Sequence, residues 1–237
     1  SPQTEWLPPE SFPDLSKYDE VAIDLETKDP QLKTMGSGSV TGRGRIVGIA
    51  LAVKDWSGYF PIAHEGGGNM DEKIVMDYFR TILNYPSTKI FHNAMYDVCF
   101  IRAAGLKING TIVDTMIAGS LVDENRFRYD LGSMGRDYLG RGKNEAVLNE
   151  TAAIWGVDPK SEMYKLPAMY VGEYAERDAQ LTLDLWQEMK KEIFAQDLES
   201  IFILERELFP CLVDMRFLGV RVDVEAANQL KHKLLTE

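Results

Sequence analysis

The sequence predicts an α/β fold: a mixed five-stranded sheet, antiparallel through its first three strands and parallel after them, flanked by helices. Three observations lead there. Three apolar runs of strand length come in quick order near the N-terminus, joined by turn-forming loops. Helical and strand-like segments then alternate, as parallel crossovers require. After "TIVD" (Thr111–Asp114) the pattern is helical to the end.

Taken in order, residues 1–18 are rich in Pro and polar groups and read as a leader or linker. The first strand is Val21–Glu26. The second, Ile46–Val53, follows the Gly/Ser loop "GSGSVTGRGR", and the third, Gly58–Ile62, follows "KDWSG" as a hairpin turn. After the loop "HEGGGNM", Asp71 reads as the N-cap of a helix with Ile74, Val75, Tyr78, Phe79 and Ile82 on one stripe. "TKIFH" (Thr88–His92) is a short strand, and "NAMYDVCFIRAAG" a helix ending at Gly105. "TIVD" leads into the helix "TMIAGSLV". Breaks fall near Gly140, Gly156, Pro167 and Gly219. No internal repeat or low-complexity tract interrupts the chain.

Bulk properties narrow the classes. A chain of 237 residues is one large domain, or one domain with a fragment of a second. Its 45% hydrophobic content suffices for a core. The longest apolar run, "IVGIALAV" from Ile46, is too short to span a bilayer, and no signal peptide opens the chain. Because it opens on Ser1, it is expected to be a piece of a longer protein. Cys99 and Cys211 lack metal-ligand spacing and read as buried free thiols of a reducing compartment. The net charge of −11 excludes a generic basic nucleic-acid coat, but not an enzyme that meets phosphates through metal ions. One basic stretch holds Arg126, Arg128, Arg136, Arg141 and Lys143; a solvated helix face explains it as well as a binding patch does.

Three short stretches carry the chemistry. In "VAIDLETKDP", Asp24 and Glu26 stand two apart on a strand, so both carboxylates point the same way, about 7 Å apart. "HNAMYD" puts Asp97 on the first turn of a helix. "YAERD" puts Tyr174 and Asp178 four residues apart, hence on one helix face, with Leu181 and Leu185 continuing that stripe inward. Four carboxylates meeting at one spot repel each other unless cations intervene. Two Mg²⁺ ions, served by hard oxygen ligands, resolve this, and such a pair can clamp the attacking and leaving oxygens of a phosphodiester.

These residues resemble the proofreading 3′–5′ exonuclease domain of family A DNA polymerases, the tyrosine subclass of the DEDD superfamily. Its D-x-E, N-x-x-x-D and Y-x-x-x-D motifs match Asp24/Glu26, Asn93/Asp97 and Tyr174/Asp178, in order. "DTMIAGSLV", "RYDLGSMGRDYLG" and "YAERDAQLTLDLW" match as well. The resemblance implies a ribonuclease-H-like fold over residues 19–195 and two divalent ions, Mg²⁺ or Mn²⁺. Asp24 would bridge both ions. Glu26 and Asp178 would hold the water-activating one and Asp97 the other, while Tyr174 would hydrogen-bond the water. It also implies a single-stranded DNA 3′ end as substrate, with Thr27 and Asn93 near it, and no membrane. "ERELFPCLVDMRFLGVRVDVEAANQL" is similar to the segment that leads into the polymerase region. Residues 196–237 are therefore expected to be its helical start, the C-terminal polymerase domain being a partner within the parent chain. The implied setting is cytoplasmic, in a bacterium or a phage-infected host, and the "HEGGGNM" loop points to the phage.

Plainer readings stand beside these. A lone carboxylate is usually a solvated charge or a cap, and Tyr174 alone a packing residue. Asn93 also stands where an N-cap opens its helix. His92 reads as a core or strand-end histidine, and His64 and His232 as surface residues. The "GSGSVTGRGR" loop, with Arg43 and Arg45, forms either an anion nest or a flexible connection. It precedes a strand, so it is no dinucleotide site. Two rival functions are an inactive exonuclease-like DNA-binding or structural module and a phosphatase using Asp24 as nucleophile. The first would be expected to have lost a carboxylate; the second usually carries an Asp where this chain has Glu26.

Overall fold

In the computed structural model, which describes residues 2–236, the sheet order is β3-β2-β1-β4-β5. The strands are β1 (Glu20–Lys28), β2 (Arg45–Val53), β3 (Trp56–Pro61), β4 (Thr88–Phe91) and β5 (Ile112–Asp114). β1–β2 and β2–β3 pair antiparallel; β1–β4 and β4–β5 pair parallel. This is the expected mixed sheet, with β1 at its centre. The hairpin turn is shorter than expected: Trp56 and Ser57 already belong to β3, so only Lys54 and Asp55 turn the chain.

Strand alternation divides the core into two layers. Val21, Ile23, Leu25, Ile49 and Leu51 face one way, packing with Val75, Phe79 and Ile82 of α3 (Glu72–Asn84) and Phe100 of α4 (Ala94–Ala103). Ala22, Ala50, Ala52, Tyr59 and Ile90 face the other way, packing with α5 (Thr115–Val122), α6 (Leu131–Leu139), α7 (Ala146–Trp155) and α8 (Gly172–Ala195). The first layer is branched and bulky, and the second is small along β1 and β2, where Ala22, Ala50 and Ala52 face α8. That difference lets α8 lie close to the sheet.

Local chemistry sets the element ends. The Asp71 carboxylate accepts from the Ile74 N–H at 3.0 Å, as an N-cap should. Ile74 itself is 54% exposed and off the buried stripe. Gly140 and Gly156 end α6 and α7 in left-handed geometry. The Gly/Ser loop follows α1 (Leu32–Met35) and itself holds α2 (Gly38–Thr41), and the Gly38 N–H donates to the Asp29 carboxylate. Arg43 and Arg45 there bond Gln31 and Glu72.

Residues 2–18 have no helix or strand but are tied down. Leu15 is buried, Phe12 stacks on Phe60, and the Trp6 indole donates to Glu176 at 2.9 Å. At the other end, α9 (Glu199–Leu218) buries Phe202, Phe209 and Val213, and α10 (Val224–Thr236) buries nothing. Cys99 is buried as expected. Cys211 is exposed on α9, because helical periodicity turns it away from the buried stripe. Among the described residues, no helix is long and apolar enough to cross a membrane.

Candidate active site

β1 presents Asp24 and Glu26 on the α8 side of the sheet, the face that also carries buried Ala22. Their partners on β2 are Ala50 and Gly48. A register shift follows between Glu26 and Thr27, where the strand leaves regular pairing. Gly48 has no room for a side chain, since a Cβ there would overlap the Tyr59 ring and hydroxyl. Beyond β4, α4 delivers Asp97, which is 5% exposed, from its first turn. α8 delivers Tyr174 and Asp178 one turn apart, and Leu181 and Leu185 below them are buried as the spacing predicts.

The positioning of α4 differs from expectation. Asn93 occupies the N-cap position in left-handed geometry (φ 64°), and its side chain caps nothing. Asp114 does that work from the end of β5: its carboxylate accepts from the N–H groups of Asn93 (3.0 Å), Ala94 (2.8 Å) and Met116 (2.8 Å). One buried side chain thus starts both α4 and α5. Asn93 is left exposed at the mouth of the site. The Thr27 hydroxyl lies 2.8 Å from the Tyr96 hydroxyl, and Tyr96 donates in turn to Asp29.

A cleft of about 450 Å³ opens over these groups, with Asp24, Glu26, Thr27, Asn93, Lys143 and Tyr174 in its lining. Asp97 and Asp178 sit beneath it, buried. Burial first, and the Asp178 charge second, push Asp24 up to about 7. Burial and the Asp24 charge hold Glu26 and Asp97 well above the usual carboxylate range. Burial, then the Asp178 charge, raises the Tyr174 phenol. Asp24 and Glu26 therefore feel Asp178 on one side, and Asp97 feels Asp24 and Glu26 on the other, which is the electrostatic signature of a shared site.

Lys143 is the residue that sequence reasoning missed. Its neighbours in the basic stretch find partners elsewhere: Arg126 pairs with Asp137, Arg128 with Asp130 and Arg141 with Asp184. Lys143 instead turns inward, ion-pairs with Asp178 Oδ2 and donates to the Tyr174 hydroxyl at 3.0 Å. Burial pulls its pKa down, but the charges of Asp178, Asp24 and Glu26 outweigh that and raise it. It is an ammonium. The available signal was only that clustered carboxylates need a cation.

Of the three histidines, His92 joins the cleft lining. His92 donates from Nε2 to the Tyr129 carbonyl and accepts at Nδ1 from Thr115, each at 2.8 Å, and burial pushes it down to about 4. His64, expected at the surface, is buried. Its Nδ1–H donates to the Leu166 carbonyl at 3.0 Å, and its Nε2 accepts from the Tyr59 hydroxyl at 2.6 Å. That links the loop before α8 to the sheet. His232 is exposed as expected.

The donor set suits a hard divalent cation, being all oxygen and acidic. Asp178 Oδ1 is buried with no hydrogen-bond partner, an orphaned acceptor that a cation would satisfy. As they stand, no three described His, Cys, Asp or Glu side chains close into a ready-made metal cage. The carboxylates are gathered but not drawn together, as mutual repulsion requires.

Comparison with known proteins follows from this geometry. The family model described as 3′–5′ exonuclease matches residues 2–194. The chain belongs to that family, the 3′–5′ exonuclease domain of family A polymerases. Among curated relatives, a DNA-directed DNA polymerase of Pseudomonas phage M6 is 35% identical over 96% of this chain and 35% of its own length. The chain thus spans about a third of that polymerase. Among solved structures, the POL domain of Pol1 from M. smegmatis, in complex with DNA primer-template and dNTP, aligns with a TM-score of 0.66. Identity there is 17%, over 93% of this chain and 32% of that one. Brucella melitensis NrnC with bound Mg²⁺ aligns at 0.63, with 17% identity over 89% of this chain and 92% of its own. At such identity these two likenesses establish the shared fold.

Proposed function

We propose that this domain removes nucleoside 5′-monophosphates from single-stranded or frayed DNA 3′ ends by two-metal-ion hydrolysis, as the proofreading part of a DNA polymerase. The observation that carries this is that Asp24 and Glu26 line one cleft with Tyr174, while the buried Asp97 and Asp178 lie close enough for Asp97 to feel the Asp24 charge and for Asp24 to feel the Asp178 charge. Asp24, Glu26 and Asp178 would hold the water-activating ion, and Asp24 and Asp97 the other. When bound, Mg²⁺ or Mn²⁺ would supply Lewis-acid activation of a water and stabilise the departing 3′ oxygen. Tyr174, held beside Asp178, orients the attacking water. Thr27 and Asn93, in the cleft lining, meet the terminal nucleotide. The narrow cleft favours a single strand over a duplex.

Residues 19–195 would form the exonuclease unit, with residues 2–18 strapped to it, and 196–237 the helical start of the polymerase region. The apolar exposure of Leu204, Leu208 and Met215 on α9 supports that last assignment, since such a face suits a neighbouring body of the parent chain. The setting would be the cytoplasm of a bacterium or phage-infected host.

The test is digestion of 3′-labelled single-stranded DNA with Mg²⁺. The 237-residue chain should shorten the label one nucleotide at a time, and Asp24→Ala and Asp97→Ala should not. An inert wild type, or variants that digest equally well, would favour the binding-module reading. That reading is less well supported, because none of the four carboxylates is replaced.

A further inference from the structure

Lys143 has three features that packing alone does not require. Its stem comes from the glycine turn Gly140–Gly142, which follows α6, and its side chain is 26% exposed, so it reaches the site from the solvent side. Its ammonium holds Asp178 Oδ2 and the Tyr174 hydroxyl together, and stands over the Tyr174 ring at 5.1 Å from the centroid. It also feels the charges of Asp24 and Glu26. It is therefore the positive charge seated among three of the carboxylates, Asp178, Asp24 and Glu26.

An ammonium and a divalent ion compete for one carboxylate oxygen, because like charges at contact distance repel. The other Asp178 oxygen is buried and unpartnered. Full use of that carboxylate by a divalent ion thus requires Lys143 to leave. Four carboxylates balance two divalent ions, so the departing ammonium becomes surplus positive charge at the cleft, the charge a phosphodiester lacks.

We infer that Lys143 is an internal counter-cation: it holds Asp178 and Tyr174 in place before a divalent ion loads, is displaced from Asp178 by that ion, and then contacts the phosphate of the terminal nucleotide. This rests on the exonuclease reading. Lys143 stays charged throughout; it changes partners, not protonation. The same step links ion loading to substrate grip, since the ammonium reaches phosphate only after it has been displaced.

The experiment is Mn²⁺ binding to the 237-residue chain without DNA, followed by electron paramagnetic resonance of the free ion, for wild type, Lys143→Met and Asp24→Asn. Removing a competing surface-accessible ion pair should tighten Mn²⁺ binding in Lys143→Met about five-fold. With Mg²⁺ and single-stranded DNA, the KM of the same variant should rise about ten-fold through the lost charged contact, and Lys143→Arg should restore it. Lys143→Gln repeats the measurement should the Met variant fail to fold by circular dichroism. Equal or weaker Mn²⁺ binding in the neutral variants overturns the inference. Asp24→Asn separates the two ideas. If it binds Mn²⁺ as wild type does, or wild type binds none, the metal site itself is wrong and the Lys143 inference falls with it. If Asp24→Asn binds weakly while Lys143→Met is unchanged, only the Lys143 inference fails.

Discussion

Replacing Asp24 by Asn should make the metal-free protein more stable while abolishing exonuclease activity. In the native site, burial and the Asp178 charge raise Asp24 from its ordinary 3.8 to about 7. Between about pH 4 and pH 7 the native state therefore keeps a proton that the unfolded chain releases. Stability contributed by this group is fully present below pH 4, is lost as pH rises to about 7, and changes no further above that. At about 1.4 kcal/mol per decade, the ionised carboxylate costs the fold at most about 4 kcal/mol at pH 8. Asp24 is partly exposed to the cleft, and Asn also forfeits the Lys143 attraction. Solvent screening and that loss bring the expected gain to about 2 kcal/mol. For a chain of this size that is about 4–8 °C in Tm. Thermal unfolding by circular dichroism in EDTA at pH 8 and pH 4 reads it directly. The variant should melt higher at pH 8 and level with wild type at pH 4, and added Mg²⁺ should raise wild type more than the variant. A lower Tm at pH 8, or an equal gain at both pH values, would refute the electrostatic account.

Tyr174→Phe keeps the ring and loses the hydroxyl beside Asp178, so kcat should fall by roughly 10- to 100-fold with KM for single-stranded DNA little changed. Gly48→Ala should destabilise by about 2 kcal/mol or more, read by urea unfolding, because the added Cβ overlaps the ring and hydroxyl of the fully buried Tyr59. Asp114→Ala removes the carboxylate that accepts from three N–H groups at the starts of α4 and α5 and should cost about 2–3 kcal/mol, with faster amide exchange at Ala94 and Met116.

What was legible in the sequence depended on range. The spacing of two between Asp24 and Glu26 and of four between Tyr174 and Asp178 follows from strand and helix geometry alone. The strands likewise announced themselves by apolar runs between turn residues. Lys143 meets Asp178 across 35 positions, and His64 meets Leu166 across 102; nothing local encodes either contact. "HEGGGNM" looks like solvated loop, yet folding against the segment before α8 buries its histidine. The Asn93 position was legible as a helix start, but the capping side chain comes from another strand. Trp6 and Leu15 lie in a Pro-rich stretch whose composition hides its anchors. Cys211 sits in an apolar run, and only the helix phase shows that it faces out.

The small side chains along β1 and β2 have a consequence beyond packing. Ala22, Gly48, Ala50 and Ala52 put little side chain between the sheet and α8. The separation between carboxylates on the strand and on the helix is thereby fixed by backbone thickness rather than by any adjustable side chain. The floor acts as a caliper: a single added methyl group beneath α8 would reset its jaw, and the gap across which the carboxylates face one another would change with it.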